Sequence, residues 1–214
     1  MNIKSVVFDL DGTLVNSLRI CTAILNAMLA DRGGASITEL QARPYISVGG
    51  KEMVRQLLGR YSCDPKDDIA EFRQRYVSLP TPQDSLFEGV TETLFWLRQQ
   101  DYVLGICSNK PQRLCEKILT ELDIAHHFSA IIGGDVLPHT KPAAGHLLTT
   151  IERMGSNPEH TLYIGDSETD YQLALNAHVL FIYVTYGYGN PIAIPASVTR
   201  IDTILYLPSL VGMP

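Results

Sequence analysis

The sequence predicts an α/β fold: a doubly wound parallel sheet flanked by helices, with a helical unit inserted after the first strand. Three observations carry this. Short apolar runs of strand length recur along the 214 residues. Helical patterns separate them. One gap is far longer than the others and holds helical stretches but no strong strand.

The first strand is SVVFDL at 5–10. It is followed by YVLGICS at 102–108, SAIIGG at 129–134, TLYIG at 161–165 and VLFIYV at 179–184. Continuous Val, Ile, Leu and Phe runs of this length suit strands buried on both faces of a parallel sheet, whereas a strand with one wet face alternates apolar and polar residues. The spacing predicts helices over 88–100, 111–122, 143–154 and 168–177. Pro111 and Pro142 fall near the starts of two of them, where a first turn tolerates a residue without an N–H. Strand–helix alternation of this kind implies right-handed crossovers and a layered α/β domain.

The long gap covers about 72 residues, too many for a structureless loop in a compact domain. Helical stretches near 17–32, 50–59 and 66–79 fill it. The expected organisation is therefore an α/β core from residues 1–14 and 87–214, with residues 15–86 as a helical cap. Residues 15–17 and the turn-rich segment LPTPQDS at 79–85 are the expected hinges.

Composition narrows the class. Hydrophobic residues make up 45% and charged residues 19%, which excludes a disordered chain. No apolar run approaches the roughly 20 residues of a membrane span. The N-terminal apolar run reaches Asp9 and Asp11 almost at once, so no signal peptide is expected. Cys21, Cys63, Cys107 and Cys115 show no CxxC spacing; they are expected as free thiols of a reducing cytosol, Cys107 buried. A net charge of −6 argues against binding nucleic acid through its phosphates. Residues 15–86 net +1 and the remainder −7, so the core needs cations where its carboxylates converge, and the insertion has positive groups for an anionic substrate. Monomer and homodimer both remain open.

In a parallel α/β sheet, ligands collect beyond the carboxyl ends of the strands. There the sequence places Asp9 and Asp11 after the first strand, Ser108 and Asn109 after the second, Lys141 beyond the third, and Asp166 and Asp170 after the fourth. Several carboxylates brought together need a cation, and an all-oxygen set with room for waters and a phosphate oxygen suits Mg²⁺. Such an ion neutralises charge so that an anionic nucleophile can approach an anionic ester. Asp9 can then attack phosphorus to form a covalent phosphoenzyme. Asp11 can protonate the leaving alkoxide and later deprotonate water. Ser108 and Asn109 can bond the phosphoryl oxygens while Lys141 adds positive charge. Asp170, four residues from Asp166 and on the same side of a helix, can orient metal-bound water.

Taken together, DLDGTL at 9–14, SN at 108–109, KP at 141–142 and GDSETD at 165–170 resemble, in order and position, the four motifs of the haloacid dehalogenase superfamily. The resemblance covers the whole chain, helical cap included. VGG at 48–50, FEGV at 87–90 and VTYGYG at 184–189 resemble its phosphoglycolate phosphatase-like subgroup. The resemblance implies a Rossmann-like core of sheet order 5-4-1-2-3. It implies Asp9 as nucleophile and metal ligand, Asp11 as acid/base and as ligand through its backbone carbonyl, and Asp166 as a further ligand. Thr13, Ser108, Asn109 and Lys141 become contacts of the phosphate. Dehalogenases of the superfamily lack the second aspartate, so Asp11 favours phosphate over halide chemistry.

Away from these motifs the residues read more plainly. His126 and His127 fit a loop pair at a helix end, His139 a surface position and Trp96 helix packing. Tyr183, Tyr186 and Tyr188 are expected near the cleft rim. In the insertion, Arg19, Arg43, Lys51 and Arg55 are candidate anion contacts, with Gly50 and Lys51 preferred. The expected activity is Mg²⁺-dependent hydrolysis of a small, phosphoglycolate-like phosphate monoester in the cytoplasm. A β-phosphoglucomutase-like phosphomutase would use the same Asp9 and Asp11. A non-enzymatic receiver domain would share the acidic strand ends, but the long insertion would cover the face it needs.

Overall fold

Ser5–Phe8 (β1) runs through the middle of a single parallel sheet, every residue buried. Val103–Cys107 (β2) and then Ala130–Ile132 (β3) lie on one side of it. Thr161–Gly165 (β4), Leu180–Val184 (β5) and Thr199–Ile201 (β6) lie on the other, giving the order β3-β2-β1-β4-β5-β6. The computed structural model describes residues 2–46 and 49–212. All five expected strands form, in the expected order. The sheet carries one strand more, β6, which the sequence conceals: it spans three residues with only Ile201 buried, so no apolar run marks it.

The helices are Leu18–Asp31 (α1), Glu39–Ile46 (α2), Gly50–Leu58 (α3), Pro65–Ser78 (α4), Val90–Gln99 (α5), Gln112–Glu121 (α6), Ala144–Arg153 (α7), Glu168–Ala177 (α8) and Leu207–Val211 (α9). Alternation along β1 feeds two cores. Val6 and Phe8 join Leu94, Leu97 and Ile118 on one face, whereas Val7 joins Leu147, Ile151 and Leu173 on the other.

Four helices, α1 to α4, occupy the interval between β1 and α5 and pack on one another. The buried stripe of α1, with Ile24, Leu25, Met28 and Leu29, gives it a helical period. Asp64 accepts hydrogen bonds from the backbone N–H groups of Lys66 and Asp67 and starts α4. Arg32 forks to Asp68 at 2.7 Å and Glu71 at 2.6 Å, tying the end of α1 to α4. Helix α2 lies where no element was expected. It buries only Ala42, contains Pro44 and leaves Leu40 exposed, so it has no apolar face to read.

Where the chain leaves and re-enters the sheet, the two passages lie side by side. Val15 and Leu86 form an antiparallel bridge. Asn16 N–H donates to Ser85 at 2.7 Å, and Phe87 N–H to Leu14 at 3.0 Å. No helix among the described residues is long and apolar enough to cross a membrane.

Candidate active site

The central position of β1 brings the acidic strand ends together. Phe8 pairs with Ile106 on one neighbour and Ile164 on the other, so the residues just beyond these strands emerge side by side. Asp9 N–H still bonds to Ile164 at 2.9 Å, which fixes its side chain at the rim of the sheet. Asp9, Asp11, Ser108, Asn109, Lys141 and Asp166 line one cavity of about 700 Å³, and Gly50 and Lys51 close it from the opposite side. Thr13 does not line it; it is fully buried.

Lys141 is the positive centre of the site. Its ammonium lies 2.8 Å from Asp9 Oδ1 and 2.7 Å from Asp170 Oδ1, with 4% of its side chain exposed. Burial opposes its charge, but Asp170 and Asp9 outweigh burial and push the pKa of Lys141 upward. Asn109 fixes the backbone that carries it, accepting from Lys141 N–H at 2.9 Å and donating to its carbonyl at 3.2 Å.

The sequence reading gave Asp170 the task of orienting metal-bound water. The structure shows both of its oxygens already engaged. Oδ1 accepts from Lys141 and, at 2.7 Å, from the Tyr163 hydroxyl; Oδ2 accepts from Ser167 N–H and Oγ at 3.1 and 2.6 Å. Ser167 and Asp170 thus form a capping box that starts α8. Burial works to raise the Asp170 pKa, but Lys141 and these donors hold it below the usual carboxylate range.

Asp9 and Asp166 are in the opposite condition. Burial, with Asp170 adding repulsion, lifts the Asp9 carboxyl to about 6 despite Lys141. Burial and repulsion from Asp170 and Asp9 lift Asp166 well above its ordinary value. A carboxylate oxygen from each of Asp9, Asp166 and Asp170 lies within 4.8 Å of the others. With the Asp170 oxygens already engaged and Lys141 balancing only part of the charge, Asp9 and Asp166 are the members that could hold a metal ion, and their all-oxygen donor set fits a hard divalent cation.

Backbone approach completes the cradle. Gly12 has φ +84°, and a Cβ there would collide with the Asp166 carboxylate; one at Gly187 would do the same. From the 185–189 loop, Tyr188 N–H donates to Asp166 Oδ2 at 2.6 Å.

Three residues of the site escaped the sequence reading. Tyr163 looked like one more apolar residue of the fourth strand, yet its hydroxyl supports Asp170 and accepts from Lys141 at 3.2 Å. Lys110 directly follows the SN pair, and its ammonium lies 3.0 Å from Asp11 Oδ2. Tyr76, a buried residue of α4, faces that ammonium. The tyrosines expected at the rim turn inward instead: the Tyr188 hydroxyl donates to Asn16 at 2.8 Å, and that of Tyr186 to the Thr13 carbonyl at 2.8 Å. Tyr183 packs under Arg200.

Of the insertion's cations, Lys51 faces the cavity. Arg55 also lines it but pairs with Glu52, Arg19 pairs with Asp84 on the surface, and Arg43 donates to the Gly187 carbonyl at 2.5 Å. Val48, part of the VGG stretch, lies outside the described residues. His139 is exposed, His126 and His127 sit in a single turn after α6, and Trp96 stacks on Tyr102.

Comparison with known proteins places this arrangement. Residues 6–184 match the model of the haloacid dehalogenase-like hydrolase family. Phosphoglycolate phosphatase 1 of Pseudomonas aeruginosa is 35% identical over 210 residues, covering 94% of this chain and 77% of that protein. Phosphoglycolate phosphatase of Xylella fastidiosa (strain 9a5c) is 37% identical over 216 residues, 99% of this chain and 92% of that one. A crystal structure of a predicted phosphoglycolate phosphatase from Haemophilus somnus superposes with a TM-score of 0.87 at 28% identity, covering 98% of each chain. The motifs at the strand ends, the topology beneath them and these relatives agree: the chain belongs to the haloacid dehalogenase-like hydrolase family, as a phosphoric monoester hydrolase of phosphoglycolate phosphatase-like kind.

Proposed function

We propose that this enzyme is a Mg²⁺-dependent phosphatase for a small phosphoglycolate-like monoester, acting through an aspartyl-phosphate on Asp9. The observation that carries the reading is the convergence of three buried carboxylates, Asp9, Asp166 and Asp170, with an oxygen of each within 4.8 Å of the others and the Lys141 ammonium touching Asp9 and Asp170. Asp9, Asp166 and the backbone carbonyl of Asp11 would hold the ion. When bound, it supplies the positive charge that lets a carboxylate meet a phosphate dianion.

The protein's own groups do the rest. Asp9 attacks phosphorus, and the ester P–O bond breaks as the acyl-phosphate bond forms. Asp11 gives its proton to the departing alkoxide, then takes one from the water that cleaves the acyl phosphate and regenerates Asp9. Ser108 and Asn109 bond the transferring oxygens, and Lys141 balances their charge from the Asp9 side. Asp170 acts by keeping Lys141 in place.

Residues 15–86 serve as a cap over the core, with the paired passages at 14–16 and 85–87 as its hinges. Gly50 and Lys51 face the cavity from the cap and meet the anionic end of the substrate. Closure excludes bulk water while Asp9 attacks phosphorus, and opening admits the water that cleaves the acyl phosphate. A cavity of about 700 Å³ under a helical layer suits a small ester rather than nucleic acid. Four free thiols, one of them, Cys63, on the surface, suit a cytoplasmic setting.

The test is release of inorganic phosphate from phosphoglycolate, sugar phosphates, nucleotides and pyrophosphate, with Mg²⁺ or with EDTA. Turnover that needs Mg²⁺, favours compact esters and vanishes in Asp9→Asn supports the reading. Full activity in EDTA overturns the metal dependence, and phosphate transfer only with a sugar bisphosphate indicates a mutase.

A further inference from the structure

We infer that Lys110 is a positioning residue for Asp11, and that Tyr76 of the cap seats it there. The inference rests on the acid role proposed for Asp11. Lys110 sits in the core, just beyond β2; its ammonium lies 3.0 Å from Asp11 Oδ2, and 9% of its side chain is exposed. Asp11 is its only salt-bridge partner among the described residues. On the other side the ammonium faces the Tyr76 ring, 4.5 Å from its centroid. Tyr76 is fully buried on α4, within the insertion.

A lysine removed from water needs both a counter-charge and a polarisable neighbour. Asp11 supplies the first and Tyr76, reaching in from α4, the second. The arrangement splits the Asp11 carboxyl between two duties. Lys110 holds Oδ2, while Oδ1 is buried with no hydrogen-bond partner among the described residues. Oδ1 is therefore the atom left to give its proton to the leaving oxygen. Without Lys110 the carboxyl is free to rotate, and the proton loses its aim. Without the ring, the ammonium has less reason to stay under the cap than to reach water.

The experiment uses the full chain with Mg²⁺ and a series of phosphate monoesters, from alkyl esters with poor leaving groups to p-nitrophenyl phosphate with a good one. The variants are Lys110→Met, Lys110→Arg, Tyr76→Phe and Tyr76→Leu, with Asp11→Asn alongside. Expected is a kcat loss of about tenfold to a hundredfold for Lys110→Met on alkyl esters, with KM and p-nitrophenyl phosphate turnover little changed. Lys110→Arg should recover much of it. Tyr76→Phe keeps the ring and should retain more alkyl-ester turnover than Tyr76→Leu, which removes it. Equal losses across the series in Lys110→Met, or Tyr76→Leu indistinguishable from Tyr76→Phe, would overturn the inference. Should Lys110→Met not fold, the Tyr76 pair decides it with Lys110 in place. Asp11→Asn separates the two levels: no leaving-group dependence there sinks the acid role itself, whereas dependence in Asp11→Asn alone sinks only the positioning by Lys110.

Discussion

Asp170 holds the ammonium of Lys141 at 2.7 Å, with neither side chain reaching solvent to any useful extent. That one carboxylate also closes the capping box of α8 through Ser167, so helix start and the buried cation of the site share a support. Asn can replace Asp in the cap but cannot balance the buried charge. Asp170→Asn should therefore cost about 3 kcal/mol of stability, the cost of leaving a buried ion without its partner. Turnover should fall about a hundredfold as Lys141 drifts toward Asp9. Urea midpoints and kcat on the same sample check both; unchanged stability would show that Asp9 alone satisfies the lysine.

The metal-free site stores repulsion. Asp9 and Asp166 are both pushed toward the neutral form by burial and by their neighbours. Asp9→Asn removes one of those charges, so in EDTA at pH 8 the variant should melt at or above wild type although it cannot turn over. Mg²⁺ should invert the order. An ion binding only the folded state adds about 2.7 kcal/mol at a hundredfold excess over its dissociation constant. That gain should be large in wild type and mostly lost in Asp166→Asn. Melting curves with and without Mg²⁺ read it directly; equal shifts in both proteins would place the ion elsewhere.

What could be read before the structure divides along physical lines. The strands were legible because burial on both faces leaves unbroken apolar runs, as in SVVF of β1. The acidic residues were legible because sheet topology puts strand ends in one place. Helix α2 and strand β6 were not, since each buries a single side chain and has no periodicity to betray it. Tyr163 and Tyr76 stayed hidden for the converse reason: each sits in a buried pattern where a ring is expected, and only coordinates reveal the ammonium beside it. The Asp170 carboxylate was found at the site, but its partners depend on side-chain directions that spacing does not fix.

Arg32 offers a test of the helical insertion away from the chemistry. It is the only charge partner of Asp68 among the described residues, and Asp68 is 1% exposed. Burial works to raise the Asp68 pKa, but the Ser62 hydroxyl and Arg32 hold it low. Arg32→Met should cost about 3 kcal/mol because a buried carboxylate is left without its cation. Pairing it with Asp68→Asn should recover a substantial part, a coupling that a double-mutant cycle measures. Additive losses would mean that the two side chains act independently.

His146 sets an acid limit on the fold. It is 1% exposed on α7, and burial, with Lys141 adding repulsion, lowers its pKa from 6.5 to about 4. The unfolded chain therefore takes up a proton near pH 6.5 that the folded protein refuses until about pH 4. More protons bound in the unfolded state means that stability falls as pH drops through that window. The full difference amounts to about 3 kcal/mol by pH 4. His146→Leu keeps an apolar side chain of similar reach and removes the titration. The stability difference between wild type and variant should be flat above pH 7 and should swing toward the variant between pH 6.5 and 4. Urea titrations of both proteins at matched pH values measure it, and parallel curves across that range would show that the folded protein protonates His146 as readily as the unfolded chain does.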